Sequence, residues 1–517
     1  MSFRTPLRRV VAFSIALCLF TAAAAPIFAG GAQEEVDVPE IQIYKVGEAM
    51  PDADMVWDHI NEILVEEIGA TVNVTHVPWG DYPDRLRLLL ASGDGYDLHF
   101  DADWFNWPEL VADDALMPLN DLLPEYAPNL YEHYRELGAL ADVTVDGLIY
   151  GLPATEIGSG RAWATVNQRW VDEFDIDVDF STIEGVVEYA EIVTENVDRV
   201  DYPFQQIWFA NPRYENVMWA MFTKYGLHRE FAEGNHGFTY DIEQAYETGE
   251  VEIVPVERTE AYLEAARWRQ DFAERGWIPR DAMHEEGDEY EVVQGTAAVT
   301  LRTVRDQYAT VHDVARDIVE LQGYRMYPDS YAAFSGFMRN GFAMNRNADN
   351  PEHAMKFMEW MYSSQANYDL VMYGIEGETY ELEEREGHMT VQFVEGQDSA
   401  NAYPATHGRW GFWRTDRQRP GVADGAVGLY TEGIPAEQEH PTNVVTPLAG
   451  FRFDPSNVRS EIALRDSVRD EFEPPISHGF VDDYEAAVEE LNERLYEPTE
   501  AIREEMQRQV DQFLAQQ

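Results

Sequence analysis

Apolar and polar residues alternate from Ile41 to Val46, the period of a half-buried strand. From Met55 to Ile68 the period changes. Val56, Ile60, Ile63, Leu64 and Ile68 recur at helical spacing, and Gly69 is placed to end the helix. Thr71 to Val77 reads as a second strand. Asp81 is positioned to cap a second helix whose buried face is Tyr82, Leu86, Leu89 and Leu90. Gly93 and Gly95 turn the chain into a third strand, Tyr96 to Phe100. This βαβαβ rhythm predicts a parallel sheet covered by helices.

The rhythm resumes further on. Asp146 to Pro153 reads as a turn, a short apolar strand and a break, and Trp163 to Asn167 as another strand. A helix starts near Gln168, and a second α/β region runs to about residue 290. Gly295 to Leu301 is again a short apolar strand. Asn350 and Pro351 open a well-marked helix with Ala354, Phe357, Met358 and Met361 as its stripe. The tail from Asp482 to Gln517 is amphipathic and helical, with a break expected near Pro498. No fixed-period repeat and no low-complexity linker separates the two α/β regions. They are therefore expected to be lobes joined by several crossing strands, a hinge with a cleft.

The first thirty residues have another texture. Arg4, Arg8 and Arg9 precede an apolar run from Val10 to Phe20, and Ala22 to Ala29 offers small-residue cleavage sites. This is the pattern of a secretory leader, cut after Ala29. The chain's one cysteine, Cys18, lies inside the apolar run, not at its end, which disfavours a lipid anchor. Disulfides and cysteine-ligated metals are not expected in the mature chain.

The formal net charge is −59, with only three lysines, Lys45, Lys224 and Lys356. Phosphates need a basic footprint, so nucleic-acid binding is excluded. A folded chain with so many carboxylates fits a salty habitat, where self-repulsion is screened. Several enzyme signatures are missing: no HExxH, no GxSxG, and no lysine in a phosphate-binding loop. Asp175 to Asp179 resembles the start of a calcium loop but lacks its glycine and final glutamate. His284 with Glu285 and Glu286 reads as a solvated turn. No cofactor and no metal is expected.

Six segments in order resemble extracellular solute-binding proteins of carbohydrate ABC importers. They are Leu90-Ala91-Ser92-Gly93-Asp94 with Asp97, then Met117 to Leu123, then Asp146-Gly147 with Tyr150-Gly151 and Pro153. Asn350 to Phe357, Tyr373 to Gly377 with Tyr380, and Gly450 to Asp454 complete the set. The last two resemble a lipoprotein-like oligosaccharide-binding branch with its own C-terminal domain, although the anchoring cysteine is absent. The resemblance implies a two-lobe, periplasmic-binding-protein type II-like α/β fold with an inter-lobe hinge and a helical C-terminal segment. The expected division is a leader over 1–29, one lobe from 36–153 plus 292–340, another from 154–291 plus 341–448, and a segment over 449–517 packed on the lobes. It also implies a monomer outside the cytoplasm, partnered by ABC permease subunits.

A neutral sugar offers hydroxyls and a weakly apolar ring face, so capture needs flat aromatic rings and a few fixed hydrogen-bonding groups. In open α/β sheets these follow strand ends. Trp79 follows the second strand, and Asp101, Asp103 and Trp104 follow the third. Glu156, Arg161 and Trp163 lie at the crossover, and Trp208 and Trp219 in the second region. Trp410 and Trp413 lie in a loop-like stretch, His407 to Arg417, which in the resembling branch approaches the cleft from the second lobe. Trp268 and Trp360 sit in helical stripes and read as core. The competing readings are a binding protein for a peptide, polyamine or osmolyte, and a secreted polysaccharide hydrolase or lyase.

Overall fold

Ile41 and Ile43 alternate into the core of the first strand, β1 (Glu40–Val46), which is flanked on both sides by parallel partners. These are β2 (Thr71–Val77) and β3 (Leu98–Asp101). Helix α1 (Ala53–Glu67) buries Val56, Ile60 and Leu64, and α2 (Tyr82–Ser92) buries Tyr82, Leu86 and Leu89. Asp81 precedes α2 but makes no capping hydrogen bond. The computed structural model describes residues 38–47, 52–93, 95–155, 158–204, 217–283, 291–302, 319–334, 336–397, 403, 410–422 and 424–516.

The chain leaves this lobe through β4 (Leu152–Pro153) and enters a second sheet at β5 (Trp163–Asn167). There β6 (Val299–Arg302) and β7 (Leu321–Arg325) both pair antiparallel to β5. Helices α3 (Ile183–Asn196), α4 (Val217–Lys224), α5 (Arg229–Gly234) and α6 (Glu260–Glu274) belong to this part. The chain then returns through β8 (Ala332–Ala333) to β9 (Gly341–Met344), which pairs antiparallel with β3 and β4. Helix α7 (Pro351–Ser363) packs Phe357, Met358 and Met361 into the first lobe's core.

These pairings correct the expected division of the returning segments. The strand around Val299 joins the second sheet, and the strand and helix over 341–363 complete the first lobe. Apolar runs at both places are short and fully buried, so their pattern states that a strand exists but not which sheet accepts it. Asn350, at the start of α7, makes no side-chain capping bond; its amide donates instead to Glu40 O at 3.0 Å, tying α7 to β1.

Three crossing segments lie together. Ala154 donates to Asn340 O at 2.8 Å, and Gly160 to Ala333 O at 3.1 Å. Beside them, β10 (Asn443–Val444) pairs parallel with β8. The C-terminal helices α8 (Arg459–Ser477) and α9 (Tyr484–Leu514) pack on the second lobe, with Leu491 and Leu495 in its core and Ile502, Met506 and Val510 around Phe238 and Tyr240. The expected break at Pro498 does not occur, because Leu495, Thr499 and Ile502 are buried on either side of it and hold the helix through the lost hydrogen bond. Among the described residues no helix is long and apolar enough to cross a membrane.

Candidate functional site

The C-terminal ends of β2 and β3 deliver an aromatic wall. Val77 ends β2, and Trp79 follows two residues on; Asp101 ends β3, and Trp104 follows three residues on. The two indoles stack with centroids 6.0 Å apart and planes 29° from parallel. Trp410 meets Trp79 edge-on at 5.1 Å, and buried Phe100 supports Trp79 at 5.9 Å and Trp410 at 6.0 Å. All three tryptophans are half-buried. The Trp104 indole N–H donates to Arg339 O at 2.5 Å, which fixes the ring plane. A wall of this kind offers ring faces at little further entropy cost, the condition for stacking a sugar ring.

Next to the wall, a charged cluster joins the two lobes. Arg339 lies on the return crossing and is only 6% exposed. Its Nη1 meets Asp103 Oδ1 at 3.2 Å on the first lobe, and its Nη2 meets Glu233 Oε2 at 2.5 Å on α5 of the second. Glu230 Oε1 lies 3.9 Å from its Nε. Arg229 pairs with Glu230 and Glu233 and lies over the Trp219 ring at 3.6 Å. The approach is close: a Cβ on Gly234 would sit 3.2 Å from Asp103 O, a tight contact. Burial pushes the Asp103 carboxyl up to about 6; Arg339 and Arg452 oppose the rise, and Glu230 and Asp142 add to it. Burial also holds the His228 imidazole down to about 4.

Beyond Arg339 opens a cavity of about 460 Å³. The first lobe contributes Asp103 and Phe337 to its lining, the second Phe231 and Tyr240, and the C-terminal segment Phe451 and Arg452.

Of the residues singled out from sequence, the structure brings Trp79, Trp104 and Trp410 together and places Asp103 beside them. Five others are corrected, since each is committed to the interior. Asp101 is fully buried and accepts from the backbone of Ala102 and Asn106, at 2.8 and 3.0 Å, shaping the loop that carries Trp104. Arg161 is fully buried and donates to Tyr327 O, Ser330 O and Thr442 Oγ1 at 2.7, 2.7 and 2.8 Å, pinning the crossing strands. Trp163 donates to Glu437 Oε2 at 3.0 Å inside the second lobe. Trp219 donates to Gly160 O at 3.0 Å beneath Arg229, and Trp413 is buried in a small cluster with Trp163 and Leu321. Glu156 and Trp208 lie outside the described residues. So does His284-Glu285-Glu286. Trp410 and Phe412 pack with the first lobe's aromatic core, whereas Trp413 packs with Trp163. Trp268 and Trp360 are core, as their stripes predict. The sequence reading missed Arg339, Glu230 and Glu233, which no spacing singles out in so acidic a chain.

Two α/β lobes joined by several crossings, with half-buried indoles at strand ends beside an inter-lobe cavity, define a ligand-binding protein of the clamshell type. The chain belongs to the bacterial extracellular solute-binding protein family, whose model matches residues 61–375. Residues 447–515 match a domain of unknown function. A carbohydrate ABC transporter substrate-binding protein of Streptococcus pneumoniae serotype 4 is 24% identical over 506 residues, covering 93% of this chain and 92% of that protein. The N-glycan transport solute binding protein NgtS of Streptococcus pneumoniae, solved with Man1GlcNAc, shares the fold with a TM-score of 0.72 and 22% identity over 92% of this chain and all of that one. The S. pneumoniae ABC-transporter substrate binding protein FusA, solved with kestose, aligns with a TM-score of 0.61 and 15% identity, over 93% of this chain and 100% of its own.

Proposed function

We propose that this protein captures a neutral sugar or oligosaccharide between its lobes outside the cytoplasm and presents it to ABC permease subunits, without chemistry of its own. The observation that carries the reading is the indole wall of Trp79, Trp104 and Trp410. Sugar C–H faces stack on such rings, each contact contributing roughly 0.5–1.5 kcal/mol beyond the area it buries. Micromolar affinity requires about 8 kcal/mol in total, within reach of two or three such contacts plus buried hydrogen bonds. The substrate class agrees with the sugars bound in the NgtS and FusA structures, Man1GlcNAc and kestose.

The Asp103–Arg339–Glu233 cluster then acts as the latch of closure, because it spans both lobes next to Trp104. A ligand favours the closed form only by binding it better than the open form. The basic and apolar stretch before Ala29 serves export, and the mature chain works as a monomer. Titration calorimetry of the purified mature chain against neutral oligosaccharides, peptides and polyamines tests the reading. Saturable binding of an oligosaccharide is expected; binding confined to peptides or polyamines overturns it.

A further inference from the structure

The cavity behind Arg339 shares a wall with the tryptophans. The carbonyl of Arg339 takes the Trp104 indole N–H, and the same residue lines the cavity. A volume of about 460 Å³ falls in the range of small-molecule pockets, roughly 300–1,000 Å³. We propose that this cavity is a terminal subsite. On the sugar-binding reading above, it takes the uncharged end ring of an oligosaccharide whose other rings lie on the wall.

The lining suits that occupant. Phe231, Tyr240, Phe337 and Phe451 give apolar ring faces. Asp103 and Glu230 supply acceptors, and Arg339 supplies donors. His228 adds one more donor: its Nδ1 accepts the Phe231 N–H at 3.2 Å, which leaves the proton of the neutral ring on Nε2. Arg339 and Arg452 face Asp103, Glu230 and Asp142, so the cations are already balanced and an anionic sugar finds no counter-charge.

The subsite gives residues 447–515 a role. Phe451 stacks on Phe231 of the second lobe at 5.9 Å and 23°. The next residue, Arg452, crosses to the first lobe, where its Nη2 donates to Asp142 O at 2.8 Å and its guanidinium lies 5.5 Å from the Trp107 ring. The C-terminal segment therefore walls the cavity from both sides and sets how long a ligand the protein prefers.

The test is calorimetry with neutral manno-oligosaccharides of increasing length, on the full mature chain and two rim variants, Ala449→Trp and Ala141→Trp. Both positions are exposed at the cavity mouth, so folding is preserved, and equal melting temperatures check this. Wild type is expected to gain about tenfold in affinity, or 1.4 kcal/mol, once the chain is long enough to enter the cavity. Either variant removes that step and keeps short-chain affinity within about twofold. A length step that survives in both variants, or no step in wild type while short sugars bind, overturns the subsite alone. Failure of every sugar to bind overturns the underlying reading and the subsite with it.

Discussion

The indole N–H of Trp104 is bonded to the carbonyl of Arg339 at 2.5 Å, and the guanidinium of the same arginine bridges the lobes. One residue thus holds a ring of the aromatic wall and joins the two lobes beside it. Trp104→Ala removes a ring face and frees that carbonyl. Affinity for the bound oligosaccharide is expected to fall about ten- to a hundredfold, with a two-state melt retained. Calorimetry on the variant checks this, and Trp104→Phe should recover part of the loss.

The lobe-spanning cluster predicts a shift in closure. Glu233→Gln preserves shape while removing one carboxylate from Arg339, so the free protein should show a larger radius of gyration than wild type in small-angle scattering. Saturating ligand should restore the compact value. Arg339→Leu removes the cation that Asp103 and Glu233 share across the lobes and leaves Glu230 to Arg229 alone, which costs about 3 kcal/mol in stability, measured by urea unfolding.

Asp103 gives a pH dependence of definite sign. Its folded-state value is raised from 3.8 to about 6 by burial, so the folded form holds the proton more tightly than the unfolded chain. Its contribution is complete below about pH 4 and is lost as pH rises to about 6. Asp103→Asn mimics the protonated form. The difference in melting temperature, variant minus wild type, should therefore grow across pH 4 to 6 and level off above.

The C-terminal segment is locked on by a buried ion pair. Arg465 Nη2 bonds both oxygens of Glu257 at 2.7 and 2.9 Å, and its Nε reaches Thr499 at 3.1 Å. Glu257→Gln leaves a buried guanidinium without its charge partner. The expected loss is about 3–5 kcal/mol in chemical unfolding, with little change in sugar affinity at temperatures where the variant is folded.

How far the sequence determines this picture varies by element. The strand at Ile41, the stripe of Val56, Ile60 and Leu64, and the helix over 351–363 follow from periodicity, because each buries one face. The lobe that receives Val299 or Phe342 does not follow, since a short strand buried on both faces carries no mark of its partner. Trp79 and Trp104 were legible because they follow strand ends in an open sheet. Trp163 and Trp219 were not separable from them by residue type: Trp163 lies within a fully buried strand and Trp219 within a helix buried on all sides. Arg161 is the sharpest case. An arginine at a crossover suggests a ligand, yet its donors are taken by two other chain segments, around Tyr327–Ser330 and at Thr442, that only the folded hinge brings to it.

The most direct test is a crystal structure of the mature protein with a neutral oligosaccharide bound at saturation. A pyranose face within about 4.5 Å of the Trp104 and Trp79 rings, enclosed by both lobes, is the result expected. A sugar bound elsewhere, with Trp79, Trp104 and Trp410 all untouched, would contradict it.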